Sequence, residues 1–222
     1  MDCNFLAQTP LFAGCTPEEV EGMLGCLGAK LREYKKGEYI YSVGDIVHSM
    51  GFVLSGDVNI ESNDLWGNTS LLYHVEAGQI FAETYACVPN EPMMVNAVAD
   101  SRCEVLFLDI GRVIGTCPKA CAHHSRLVRN LLAVTAQKNL NLSRRILHTS
   151  SKSIRGRLVS YLSFQAERQG SNTVTIPFNR QQLADYLSVD RSAMSNELSK
   201  MQKDGLIDVD KNTFVLKADV QS

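Results

Sequence analysis

Five glycines, Gly37, Gly44, Gly56, Gly67 and Gly78, punctuate the stretch from Lys35 to about Asp109 at intervals near ten residues. Between and beyond them lie short runs rich in β-forming residues: Tyr39-Ile40-Tyr41, Gly51-Phe52-Val53-Leu54, Val58-Asn59-Ile60, Ser70-Leu71-Leu72-Tyr73 and Glu104-Val105-Leu106-Phe107-Leu108. Strands this short, each closed by a residue that tolerates left-handed backbone, predict an all-β sandwich or barrel. The flanks obey another period. Thr16-Pro17-Glu18-Glu19 supplies an N-cap, a first-turn proline and a capping-box glutamate, and Val20, Met23, Leu24 and Leu27 continue at helical spacing.

From Pro118 to about His148 the chain is free of internal Gly and Pro. Val128, Leu131, Thr135, Leu142 and Ile146 form one stripe there, flanked by Leu127, Val134 and Lys138. A helix of ~30 residues spans ~45 Å, longer than a small domain needs. It either packs on its own domain or, as its length favours, pairs with its copy in a dimer. Thr149-Ser150-Ser151-Lys152-Ser153 is small and polar, as a hinge would be.

Beyond the hinge, Ile154 to Glu167 reads as a helix and Thr173 to Phe178 as a short strand. Two short helices follow. Asn179 caps the first, which packs Leu183, Ala184 and Leu187; Ser188-Val189 makes the turn; Asp190 caps the second. The second turns Met194, Leu198 and Met201 inward and Arg191, Ser192, Ser195, Asn196 and Lys200 outward. Leu206 to Val209 and Thr213 to Leu216 flank Asp210-Lys211-Asn212 as a hairpin. Helix, strand, helix-turn-helix and hairpin make a winged helix. Arg matches guanine O6 and N7, Asn matches adenine, and Ser and Lys serve bases or phosphates, so the outward face is suited to the major groove of double-stranded DNA. Arg180, at the start of the first short helix, and Lys211, at the hairpin tip, are placed for the DNA backbone.

Net charge is only −2, but it is unevenly spread. Residues 149–222 hold ten Lys and Arg against eight Asp and Glu, and residues 1–148 hold twelve against sixteen. A mildly basic C-terminal part suits a polyanion partner. No apolar run approaches the ~20 residues of a membrane span, and the start Met1-Asp2-Cys3-Asn4 lacks a signal-peptide pattern, so a cytoplasmic protein is expected. Seven dispersed cysteines fit reduced thiols rather than a disulfide framework.

These residues resemble the CRP/FNR family of bacterial transcription regulators over almost the whole chain. Arg180-Gln181-Gln182-Leu183-Ala184 through Gly205-Leu206-Ile207 is similar to the family's helix-turn-helix and wing. Lys36-Gly37-Glu38-Tyr39-Ile40, Gly44-Asp45, Gly56-Asp57-Val58 and Gly78-Gln79-Ile80-Phe81-Ala82-Glu83 resemble its cyclic-nucleotide-binding-type β-roll. The resemblance implies an α+β chain: an effector-sensing β-roll (jelly roll) over residues 1–115, a dimerisation helix over 116–148 and a winged helix-turn-helix over 149–222. It also implies a homodimer on a two-fold operator with half-sites about one DNA turn apart, RNA polymerase as a partner, and an effector in the β-roll that reorients the DNA-binding domains. The family's base-reading positions fall on Arg191, Ser192 and Asn196; many members carry Arg at the last of these.

The phosphate-binding segment of cyclic-nucleotide receptors joins a Gly-Glu pair to an Arg-Ser or Arg-Thr pair about ten residues on. Here Ala82-Glu83 stands for the first and Met93-Met94 for the second, and no Lys or Arg occurs from Ala82 to Val95. A phosphate would lie unpaired there, at high cost, so the expected effector is an unidentified small molecule other than a cyclic nucleotide. Glu83, Met93 and Met94 line the expected pocket, unless the methionines are core and Glu83 only holds a turn.

Cys3, Cys15 and Cys26 have eleven and ten residues between them, which does not match the close cluster of the family's iron–sulfur branch. Cys117, Cys121 and His124 stand near a helix start at spacings that suit a soft metal, haem iron or redox chemistry, although three ligands do not close a site. No metal centre is assigned, and no cofactor is identified. A different class of function, a ligand-binding β-roll that regulates a partner protein, is disfavoured because a retired DNA reader has no reason to keep Arg191, Ser192 and Asn196 outward. No nucleophile–base pairing, phosphate-cradling loop or paired carboxylates point to an enzyme.

Overall fold

The computed structural model describes residues 1–67, 69–115 and 122–217, which pack as two units, 1–136 and 137–222.

The first unit opens with α1 (Cys3–Ala7), a single 3-10 turn (Pro10–Phe12) and α2 (Pro17–Leu24). The capping box of α2 forms as expected: Glu19 N donates to Thr16 Oγ1 at 3.3 Å and Thr16 N to Glu19 Oε2 at 3.0 Å. The strands are β1 (Lys30–Tyr34), β2 (Tyr39–Tyr41), β3 (Ser49–Ser55), β4 (Val58–Asn63), β5 (Thr69–Val75) and β6 (Ile80–Phe81). Then come α3 (Glu83–Cys87), β7 (Asn96–Ala99), β8 (Cys103–Asp109) and α4 (Ile110–Ile114).

Two antiparallel four-stranded sheets result, in the orders β1-β8-β3-β6 and β2-β7-β4-β5. The central strands β3 and β8 of the first are buried on both faces, and the period of two divides their side chains. Val53, Val105 and Phe107 pack with Val58, Val75 and Ala97 of the second sheet. Met50, Phe52, Leu106 and Leu108 pack instead with Leu6, Phe12, Val20 and Leu27 of the N-terminal segment. This double burial explains why β8 reads as a continuous apolar run rather than as an alternation. Gly51 lets β3 pass the neighbouring ring, because a Cβ there would lie 2.2 Å from Phe81 Cζ.

The long helix α5 (Ala122–Thr149) is divided between the units. Its first half packs on the β-roll: Leu127 and Leu131 are core, Arg126 donates to the Gly14 carbonyl, and Asn130 donates to the carbonyls of Leu11 and Ala13. The expected stripe therefore splits. Leu131 is spent on its own unit, whereas Leu142 and Ile146 are exposed, as are Leu132, Leu140 and Leu147.

The second unit continues with α6 (Ile154–Gln169), β9 (Thr173–Thr175), α7 (Arg180–Leu187), α8 (Arg191–Lys203), β10 (Ile207–Asp210) and β11 (Thr213–Leu216). Its sheet has the order β10-β11-β9. Leu158, Leu162, Leu183, Met194, Leu198 and Phe214 lie in one core, which seats α8 by the face that the sequence turned inward.

Candidate nucleic-acid interface

The path to the reading helix is set residue by residue. Asn179 caps α7 in a full capping box with Gln182: Gln182 N donates to Asn179 Oδ1 at 2.9 Å, and Asn179 N donates to Gln182 Oε1 at 2.9 Å. The helix ends at Ser188 in left-handed backbone, φ 53, while Val189 N donates to the Ala184 carbonyl at 3.0 Å. That 6→1 bond closes a Schellman-type turn in which a serine holds the position glycine usually takes. Two residues on, Asp190 Oδ1 accepts from Ala193 N at 2.8 Å and starts α8.

On α8, Met194, Leu198 and Met201 are buried. Arg191, Ser192, Asn196 and Lys200 are exposed, and Ser195 is half-buried, its carbonyl accepting from Ser199 Oγ at 3.1 Å. The helix thus presents Arg, Ser and Asn on one solvated face. Lys200 Nζ lies 3.8 Å from Glu197 Oε2. Arg180 stands differently from the others. Its guanidinium lies 5.0 Å over the Phe214 ring, with Nη1 buried and unpartnered, and burial lowers its pKa. Arg180 is stacked on the wing strand rather than extended toward solvent.

Three arginines hold this assembly, and reasoning from the sequence singled out none of them. Arg155 of α6 donates from Nε to Glu197 Oε1 at 2.6 Å and lies 2.8 Å from Asp204 Oδ2 through Nη2, gripping α8 on its flank. Arg145 of α5 donates to the carbonyls of Tyr186 and Asp185 at 3.1 and 3.0 Å. Arg157 of α6 donates to those of Leu187 and Ser188 at 2.9 and 2.8 Å. The last carbonyls of a helix lack intrahelical donors, and here four consecutive ones receive guanidinium N–H groups. Partners 30 or more residues apart leave no periodic signal. A charged residue inside an apolar helical pattern was the only available hint.

In the β-roll, Glu83 is buried at the start of α3, directly after Ala82 in left-handed backbone, φ 59. Met93 is 2% exposed and belongs to the core, whereas Met94 is 68% exposed, its N donating to Tyr85 Oη at 3.4 Å. The two methionines therefore face opposite environments. His124 is buried, with Nε2 donating to the carbonyls of Arg112 and Val113 at 2.7 and 2.9 Å. That nitrogen holds α4 to α5, and Nδ1 has no partner. Cys117 and Cys121 lie outside the described residues. Among the described residues, no group of three or more His, Cys, Asp or Glu is arranged to hold a metal ion.

A two-sheet β-roll followed by a winged helix, with one short helix turning a polar face to solvent, defines a DNA-binding regulator. Comparison with known proteins agrees. The family description "Cyclic nucleotide-binding domain" matches residues 31–117, and "Crp-like helix-turn-helix domain" matches residues 156–219. Electron transport regulator A of Shewanella oneidensis is 25% identical over 191 residues, covering 83% of this chain and 73% of that one. The catabolite activator protein of Thermus thermophilus is 24% identical over 94% of each chain, with a TM-score of 0.50. CprK complexed with OCPA is 15% identical over 88% of this chain and 89% of that one, with a TM-score of 0.64. The chain belongs to the CRP/FNR family of transcription regulators, with a cyclic-nucleotide-binding-type domain and a Crp-type helix-turn-helix. No described helix is long and apolar enough to cross a membrane.

Proposed function

We propose that the chain is a sequence-specific regulator that binds double-stranded DNA as a homodimer. The observation that carries this reading is the division of α8: its apolar side is consumed by the core, and Arg191, Ser192 and Asn196 are left to solvent at the helix's N-terminal end. Arg191 and Asn196 read base edges, Ser192 and Ser195 serve bases or phosphates, and Lys200 contacts phosphate. Arg180 acts near the backbone by bracing the wing. With Asn196 at a position where many members carry Arg, the operator differs from the family's common one.

Pairing through α5 is supported by its exposed Leu132, Leu140 and Leu147, spaced eight and seven residues apart along one side. Effector control belongs to the β-roll, and the absence of any Lys or Arg from Ala82 to Val95 supports a ligand other than a cyclic nucleotide. RNA polymerase is the partner through which bound DNA is put to use, and the cytoplasm is the place of action.

Selection from a random duplex library with the full chain tests the reading. A two-fold-related motif is expected. Arg191→Ala should abolish specific binding while weakening binding to random DNA only modestly; an equal loss on both refutes base readout by Arg191. Leu140→Glu should shift the chain toward monomer in sedimentation, and cyclic AMP should leave its DNA affinity unchanged.

A further inference from the structure

The unit 137–222 carries a half-open cavity of about 270 Å³. Asn141 and Arg144 of α5 form one wall, four α6 residues another, and Pro177, Phe178 and Tyr186 the rest. Its chemistry has two parts. The first is aromatic. Tyr161 and Phe178 are stacked with ring centroids 6.1 Å apart and 27° between planes, and Tyr186 lies 5.3 and 5.1 Å from the two rings. The second is cationic. The Arg144 guanidinium sits 5.7 Å over the Phe164 ring, and its Nη1 donates to Asn141 Oδ1 at 3.2 Å rather than to a carboxylate. Arg168 stands on the same lining, and no Asp or Glu does.

We propose that this cavity is a binding site for a monocyclic aromatic carboxylate, with the ring laid against the aromatic lining and the carboxylate on Arg144 and Arg168. The volume falls just under the ~300–1,000 Å³ typical of drug-sized ligands, which suits one ring. A planar guanidinium fork matches a carboxylate bidentately, and a flat apolar body stacks on rings that already accept one another. The Tyr161 hydroxyl is buried with no hydrogen-bond partner of good geometry, though the Gln165 side chain stands beside it. Behind the rings, the buried His148 packs against Tyr161, Phe164 and Tyr186 with its Nε2 unpartnered. An occupant would touch both α5 and α7. Since Arg145 already ties α5 to the end of α7, binding here is placed to alter how α7 presents the turn into α8.

Isothermal titration of the full chain with benzoate and 4-hydroxybenzoate is the test. One saturable event per chain is expected, weaker for cyclohexanecarboxylate, which has the charge without the flat ring. Arg144→Gln and Arg168→Gln should each weaken benzoate roughly tenfold or more. Arg129→Gln, outside the cavity, should change nothing. No saturable heat in the millimolar range overturns the proposal, and so does binding that both cavity variants leave intact. If a variant loses its cooperative melt, chemical-shift changes in the unsubstituted chain decide: they must fall on Tyr161, Phe164 and Tyr186, and shifts confined to residues 1–136 refute the site.

Discussion

Replacing Asp190 by alanine separates the stability of the reading helix from its chemistry. The Asp190 carboxylate accepts from Ala193 N at 2.8 Å, so one of the first N–H groups of α8 depends on it. Loss of an N-cap costs about 0.5–2 kcal/mol, and the exposure of Asp190 puts this case near 1, because water competes for the freed N–H. The negative charge at the helix's N-terminus adds roughly 0.3 kcal/mol at an exposed position. The sum, about 1–1.5 kcal/mol, converts at roughly 4–8 °C per kcal/mol for a unit of this size into a fall of about 5–10 °C in the melting of residues 137–222. Asp190→Asn keeps an acceptor at the same place and should recover most of that loss. The first turn also carries Arg191 and Ser192, so its fraying should weaken binding to the selected operator more than binding to random DNA. Calorimetric melts of the three proteins, paired with titrations on both DNAs, provide the assay. A wild-type melting temperature for Asp190→Ala, or an Asn variant as unstable as the Ala variant, would refute the capping argument.

Two further outcomes concern the units separately. Gly56 has φ +71, and a Cβ there would stand 2.3 Å from the Arg102 carbonyl oxygen, a backbone atom that cannot yield. Gly56→Ala should therefore cost the β-roll about 2–3 kcal/mol, against about 1 kcal/mol for Gly78→Ala, whose Cβ finds nothing nearer than Thr9 Cγ2 at 3.5 Å; urea unfolding measures both. His148 is held neutral, its pKa lowered first by burial and then by Arg144 on its own helix, with Ser160, Tyr161 and Tyr186 as its polar neighbours from α6 and α7. The unfolded chain takes up a proton near the ordinary histidine value of 6.5, so stability is full above that pH and falls as pH drops from there toward the lower folded value. His148→Phe should flatten this acid limb in thermal melts taken between pH 7 and 5, and an unchanged slope would show that other groups cause it.

Much of this protein is written in local order. The capping boxes of α2 and α7, the Asp190 cap and the inward Met194, Leu198 and Met201 follow from residue type and helical period alone, because each involves neighbours within a few positions. The glycine-punctuated strands were legible for the same reason. Strands β1, β6 and β7 were not, being short or lacking alternation. Sharing of the long helix was also invisible. Periodicity shows that Leu131 and Leu142 are apolar on a helix, but only packing decides that Leu131 enters the β-roll core while Leu142 is exposed.

The site divides along the same line. The order of residues in α8 already determined that Arg191, Ser192 and Asn196 share an outward face and that no cation stands between Ala82 and Val95. Tertiary structure decided the rest: that Met93 is buried and Met94 exposed, that Arg180 stacks on Phe214, and that Arg145, Arg155 and Arg157 reach distant carbonyls and carboxylates to hold the reader. Periodicity reports which side of an element is apolar. Which partner meets a long side chain depends on chain closure over tens of residues, and one-dimensional order does not carry that distance.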